Sequence, residues 1–179
     1  MKLFIDTSNK KLILAIINFE NKIDNFFIEN TNNNMAKIAI SKIKVFLEEN
    51  NLDLSNIKEY MITIGPGSYT GVKVALNIIS TINIVEKINK IYTIDSFKLI
   101  DDLNSKYTCI PFGKNKFYFK KNKKSKILTL TSEEVDQYND VNDGYKNFTK
   151  ELLQKKIDNK SFKIYDNLYK VKLKYLSSF

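Results

Sequence analysis

Residues 65–71, Gly65-Pro66-Gly67-Ser68-Tyr69-Thr70-Gly71, gather three of the chain's five glycines and one of its two prolines into seven positions. A turn of this composition can bind phosphate, because backbone N–H groups freed by glycine point at an anion with the positive end of a helix behind them. Asp6-Thr7-Ser8 is the second candidate, since a carboxylate beside two hydroxyls can hold a hydrated magnesium ion or cap a turn. Asp6, Thr7, Gly65, Gly67 and Ser68 are therefore the candidate nucleotide-binding residues. The P-loop pattern is not met: Tyr69-Thr70-Gly71-Val72 stands where a lysine and a following hydroxyl are required. A purely structural reading accounts for the same residues. Gly65 and Gly67 would supply unusual backbone angles, Pro66 would stiffen the bend, Ser68 or Thr70 would cap a helix, and Gly71 would allow close packing.

The rest of the composition narrows the chemistry. The chain has no histidine, which excludes a His-ligated zinc, a Ser-His-Asp triad and a His proton shuttle. Cys109 is the single cysteine and sits in an apolar run, so it reads as a small core residue rather than a nucleophile. The formal net charge of +9 invites a polyanionic partner, yet all 29 basic residues are lysines. Without arginine there is no bidentate reading of guanine, so sequence-specific recognition of nucleic acid is not expected. A chain this rich in Lys, Asn and Ile also fits the codon bias of an AT-rich genome, in which lysine replaces arginine. The lysine-aromatic alternation of residues 114–121 could stack bases or form a half-buried strand, and the strand is the simpler reading. No apolar run is long enough to cross a membrane, and Asp6 follows Met1 too soon for a signal peptide, so a cytoplasmic protein without a membrane partner is expected.

The elements that must position these residues follow from periodicity. Apolar runs at 2–8, 11–19 and 23–29, separated by Asn9-Lys10 and Asn21, predict an antiparallel three-strand meander. The polar stretch Asn30 to Asn34 reads as a loop ending in a helix cap. A helix is predicted over Met35 to Glu49, a strand over Lys58 to Ile64, a second helix over Val72 to Lys87 and a strand over Ile91 to Ile94. Strand, glycine turn, helix and strand make a right-handed parallel βαβ unit. Asp95-Ser96 should cap a helix through Leu103. Short strands at 107–112, 116–121 and 126–130 with a hairpin at Lys120 to Lys126, a turn at Thr131 to Glu134, a helix over Lys146 to Lys156 and a last strand over Tyr169 to Leu176 complete the reading. A 43% apolar content supports a real core, and two abutting lobes are expected, 1–96 and 97–179. Both long helices carry apolar residues around more than a core-facing stripe, so part of that surface needs another cover.

Gly65 to Lys73 resembles the GPGSFTGLR motif of the bacterial TsaB family, with Tyr69 for Phe and Lys73 for Arg. Phe4-Ile5-Asp6-Thr7-Ser8 is similar to that family's Leu-Asp-Thr-Ser/Ala opening, and Ile94-Asp95-Ser96-Phe97 to its passage from strand to helix. The match is specific over about residues 1 to 100 and faint beyond. The resemblance implies an α/β chain of the actin-like ATPase (ribonuclease H-like) superfold, its N-terminal lobe holding a mixed sheet and two long helices, its C-terminal lobe reduced. It implies a scaffold without catalytic residues, cofactor or metal, which pairs with a TsaD-like catalytic subunit in threonylcarbamoyladenosine modification of tRNA. A TsaE-like ATPase joins the pair, tRNA is a partner within the complex, and a homodimer is open to the chain without its partner. The partner would cover the excess apolar stripe, assigned here to Ile40, Ile43, Leu47, Val72, Leu76 and Ile79. Two other readings stay open: a small actin-like ATPase or nucleotide sensor using the glycine turn, and a basic RNA-binding protein that delivers tRNA.

Overall fold

A computed structural model describes residues 1–32, 34–101, 106–121 and 125–174. Three apolar strands open the chain: β1 (Lys2–Asp6), β2 (Lys11–Ile17) and β3 (Ile23–Asn30), paired antiparallel in the order of the sequence. Helix α1 (Met35–Glu49) leads to β4 (Glu59–Thr63), helix α2 (Tyr69–Val85) and β5 (Lys90–Ile94), and β4 lies parallel to both β1 and β5. Side chains of successive strand residues point to opposite faces, and here both faces are covered, which is why the central strands read as unbroken apolar runs. Leu3, Ile5 and Leu14 pack beneath α1 and α2. Phe4, Ile13 and Met61 point the other way, into a second core.

That second core joins the lobes. It is closed by α3 (Ser96–Ile100), by β6 (Tyr107–Phe112) and β7 (Lys116–Lys120), and by the later helix that carries Leu153 and Ile157. Strand β8 (Leu128–Thr131), the one-turn helix α4 (Ser132–Val135) and strand β9 (Val141–Asp143) follow, then α5 (Lys150–Asp158) and β10 (Lys163–Tyr165). The second sheet runs β8-β7-β6-β9, with β9 parallel to β6. Its outer face holds a small core of Cys109, Phe119 and Val135, where burial pushes the Cys109 thiol up to about 12. Cys109 is thus the inert core residue expected.

The larger sheet runs β10-β5-β4-β1-β2-β3. Residues 97–179 therefore do not keep to one lobe: β10 returns to the edge of the first sheet, and Leu168 and Val171 pack into the first core. The expected last strand is instead a 3-10 turn at Leu168–Lys170 followed by irregular chain to Lys174; residues 175 and 176 of that expectation lie outside the described residues. Helix α2 begins three residues earlier than expected because Ser68 caps it, and α5 begins at Lys150 because Thr149 accepts a hydrogen bond from the Leu152 N–H. Helix α3 stops at Ile100, where Asp101 turns extended, and residues 102 and 103 of the expected longer helix lie outside the described residues, as do residues 122–124 of the Lys120 to Lys126 hairpin. Asn34 precedes α1 but makes no capping side-chain hydrogen bond. Among the described residues no helix is long and apolar enough to cross a membrane.

Candidate functional site

The glycine turn and the Asp6-Thr7-Ser8 loop meet, as a shared phosphate site would require, but they meet backbone to backbone. Ser68 donates its N–H to the Ser8 carbonyl at 2.7 Å, and its Oγ accepts from the Gly71 N–H at 3.3 Å. Thr7 Oγ1 donates to the Gly71 carbonyl at 2.7 Å and accepts from the Ala75 N–H at 3.1 Å. Two of the donors that could face an anion at the start of α2, the Ser68 and Gly71 N–H groups, are thereby spent inside the protein. A Cβ at Gly67 would overlap the Ser8 carbonyl, and one at Gly71 would overlap the Thr7 carbonyl. Gly65 has the unusual angle expected of it, φ +91°, whereas Gly67 has no positive φ: its hydrogen side chain serves close approach, which corrects the expectation for that residue. On the far side, the Lys174 N–H donates to the Ile64 carbonyl at 2.7 Å, its ammonium pairs with Asp95 at 2.8 Å, and its carbonyl rests against Gly65.

Asp6 is fully buried. Its Oδ1 accepts the Ser8 N–H at 2.7 Å, and the Tyr145 hydroxyl donates to its Oδ2 at 3.0 Å while lying 2.9 Å from Ser8 Oγ. Burial raises the Asp6 carboxyl above its ordinary range, against the opposing pull of the hydrogen bonds from Ser8 and Tyr145. Burial, and then the Asp6 charge, likewise raises Tyr145. The Thr63 hydroxyl at the end of β4 lies beside Asp6 and the Ser96 hydroxyl at the start of α3 beside Tyr145, both buried and without a hydrogen-bond partner among the described residues. Tyr145 comes from the loop between β9 and α5, placed there as Gly144 lets Ile100 pack against the backbone and as Lys11 donates to the Tyr145 carbonyl at 2.7 Å. It was missed in the sequence because no periodicity links it to Ser8, 137 positions away. Of the five candidate nucleotide residues, all but the half-buried Ser68 are sealed beneath this packing.

An open concavity lies elsewhere, between α1, α2 and the 3-10 turn at Leu54–Asn56. It is an apolar groove of about 770 Å³ lined by Ile40, Ile43, Leu47, Val74, Ile78 and Ile82, with Lys44, Glu48, Asp53 and Glu86 as its charged lining, Glu48 paired with Lys44 and Glu86 with Lys58. Only part of the expected stripe faces it. Ile40 is 67% exposed, whereas Ile43 and Leu47, at 3% and 2%, form the groove's floor and are part of the first core. Val72 and Ile79, at 1% and 0%, point into the sheet and do not line the groove, and Leu76 packs half-buried against the same core. The outer stripe of α2 runs instead through Val74, Asn77 and Ile78, a rotation of the helix that the wheel alone could not assign because its apolar arc is so wide.

No family model matches the chain. It is 29% identical over 99 residues to the uncharacterized protein MG208 of Mycoplasma genitalium, across 54% of this chain and 50% of that protein. It is 26% identical over 100 residues to the Mycoplasma pneumoniae homologue, across 55% and 50%. The chain thus spans about half the length of the curated relatives it matches. Among the solved structures that resemble it, two do so at 15% identity, a TM-score of 0.55 and 72% of this chain: YeaZ from Pseudomonas aeruginosa, over 63% of its length, and a Pseudomonas aeruginosa protein described by its similarity to peptidase YeaZ, over 62%. Sheet order, paired helices and this likeness together give the chain the α/β fold of YeaZ.

Proposed function

We propose that the chain is a non-catalytic scaffold subunit that pairs with a TsaD-like catalytic subunit in the threonylcarbamoyladenosine modification of tRNA. The observation that carries this reading is the groove between α1 and α2. An apolar concavity of that size, with Ile40 standing proud at its edge, is an unfavourable surface for a lone chain and a suitable seat for an apolar helix face. The sealed glycine turn supports a scaffold over a nucleotide sensor, because phosphate entry would require separating backbones held by direct hydrogen bonds. A TsaE-like ATPase and tRNA would join through the assembled pair, in the cytoplasm, and a homodimer through the same groove is the form expected without the partner.

Capture of a TsaD-like subunit by the full chain tests this reading. Ile40→Asp leaves the internal core intact, so its circular dichroism and thermal unfolding should match the parent, while capture should weaken at least about tenfold, the scale of a central interface residue. A parent chain that captures no TsaD-like subunit overturns the pairing. Normal capture by Ile40→Asp places the interface outside the groove. Tight binding of magnesium and ATP by the isolated chain, measured by calorimetry, would favour the nucleotide sensor instead.

A further inference from the structure

The positive charge of the chain is not spread evenly. Residues 1–96 hold 11 lysines against 10 acidic residues, whereas residues 97–179 hold 18 against 10. Within the second part, residues 103–132 carry eight lysines and no acidic residue at all. Codon bias acts on the whole chain and would load both parts alike, so it does not explain this segregation.

The fold then concentrates part of the run. Thr108 pairs with Lys120 and Leu128 with Phe119, which brings the start of β6, the end of β7 and the start of β8 to one end of the second sheet. Lys106, Lys121 and Lys126, all exposed, flank that end. None of the three is paired with a carboxylate among the described residues. Two half-buried aromatic rings stand between them. Tyr107 and Tyr138 pack edge to face at 5.1 Å around the buried Phe119, and the ammonium groups of Lys106 and Lys121 lie 5.3 and 5.9 Å from the respective ring centres. Such contacts restrain the lysine heads near a platform that can also meet a base.

We infer that this end of the second sheet, centred on Lys106, Lys121, Lys126, Tyr107 and Tyr138, is an RNA-binding surface that grips the phosphate backbone without reading sequence. Lysines neutralise phosphates as point charges and release counterions, and the absence of arginine removes bidentate base-edge contacts. RNA is favoured over an anionic membrane because the rings here are half-buried tyrosines packed against the sheet, and among the described residues Leu128, 42% exposed, is the single large apolar side chain exposed at this end, less than an apolar face that enters lipid. The surface lies on the second sheet, away from the groove of α1 and α2, so it does not depend on the pairing proposed above.

The test is fluorescence anisotropy of the full chain with labelled tRNA and with an unrelated RNA of equal length, over a salt series. Lys106→Glu/Lys121→Glu/Lys126→Glu should weaken binding at least about tenfold and flatten the slope of log affinity against log salt by about two units, at roughly 0.7 to 0.9 per phosphate contact. The control Lys37→Glu/Lys87→Glu/Lys90→Glu, three exposed lysines of the first part, changes net charge equally and should cost much less. Both RNAs should bind alike. The inference is overturned if the two triple variants lose binding equally, if the parent shows no salt-dependent RNA binding, or if phosphatidylserine vesicles bind the parent as tightly as RNA.

Discussion

Helix α2 treats its two ends differently. At its start, Gly71, Ser68 and Ala75 are bonded directly to the loop after β1, with no room for even a methyl group. Further along, the half-buried Val74 lines an open groove whose floor includes Ile78, 8% exposed and part of the first core. The first region is closed on itself and so contributes to stability. The second leaves apolar surface uncovered, which gives nothing to the lone chain and is available to a partner. The contrast sets a glycine turn sealed against the loop after β1 beside a groove that stays open, where the proposed partner would dock.

Substitutions at the closed end should act on folding. Gly71→Ala drives a methyl group into the Thr7 carbonyl, and backbone on both sides leaves little freedom to yield, so a loss of about 3 kcal/mol or more is expected from chemical denaturation. If the variant unfolds at the parent's midpoint, the turn is looser than described and the contrast with the groove fails.

Tyr145→Phe should have a smaller effect. It removes the donor to Asp6 and the contact with Ser8 while keeping the ring, leaving buried oxygen atoms without their partner at a cost of about 1–3 kcal/mol. Equal stability of the variant and the parent would mean that the hydroxyl is not part of the seal.

The smallest effect is a slope. Burial raises Asp6 from its ordinary value of 3.8, so the folded chain holds this proton to higher pH than the unfolded chain does. Its contribution to stability is therefore full below the unfolded value and is lost as pH rises through the raised folded value. Asp6→Asn keeps an acceptor for Ser8 and cannot ionise. The stability of the parent relative to Asp6→Asn should fall as pH rises from acid toward neutral, with the opposite sign to an ion-paired carboxylate. A difference that stays constant across that range would show that Asp6 is not raised in the folded protein.

Much of the first lobe was legible because its signals are local. The meander, α1, β4, the Ser68 cap and β5 are each set by residues within a few positions of one another, by alternation or helical period. The motif also put Asp6, Thr7 and the glycines in one place, and their meeting is what the fold delivers. What lay beyond sequence reasoning depends on closure over long separations. Tyr145 reaches Asp6 across 139 positions, and the return of β10 and Lys174 to the first sheet is decided by free space beside β5 and Gly65 rather than by any pattern in the tail. The width of the apolar arc on α2 was determined by sequence alone. Its rotation, which buries Val72 and Ile79 and turns Val74 and Ile78 to the groove, was decided by the tertiary structure, because Gly71 docks on the Thr7 carbonyl and that one backbone contact sets the azimuth of every residue after it.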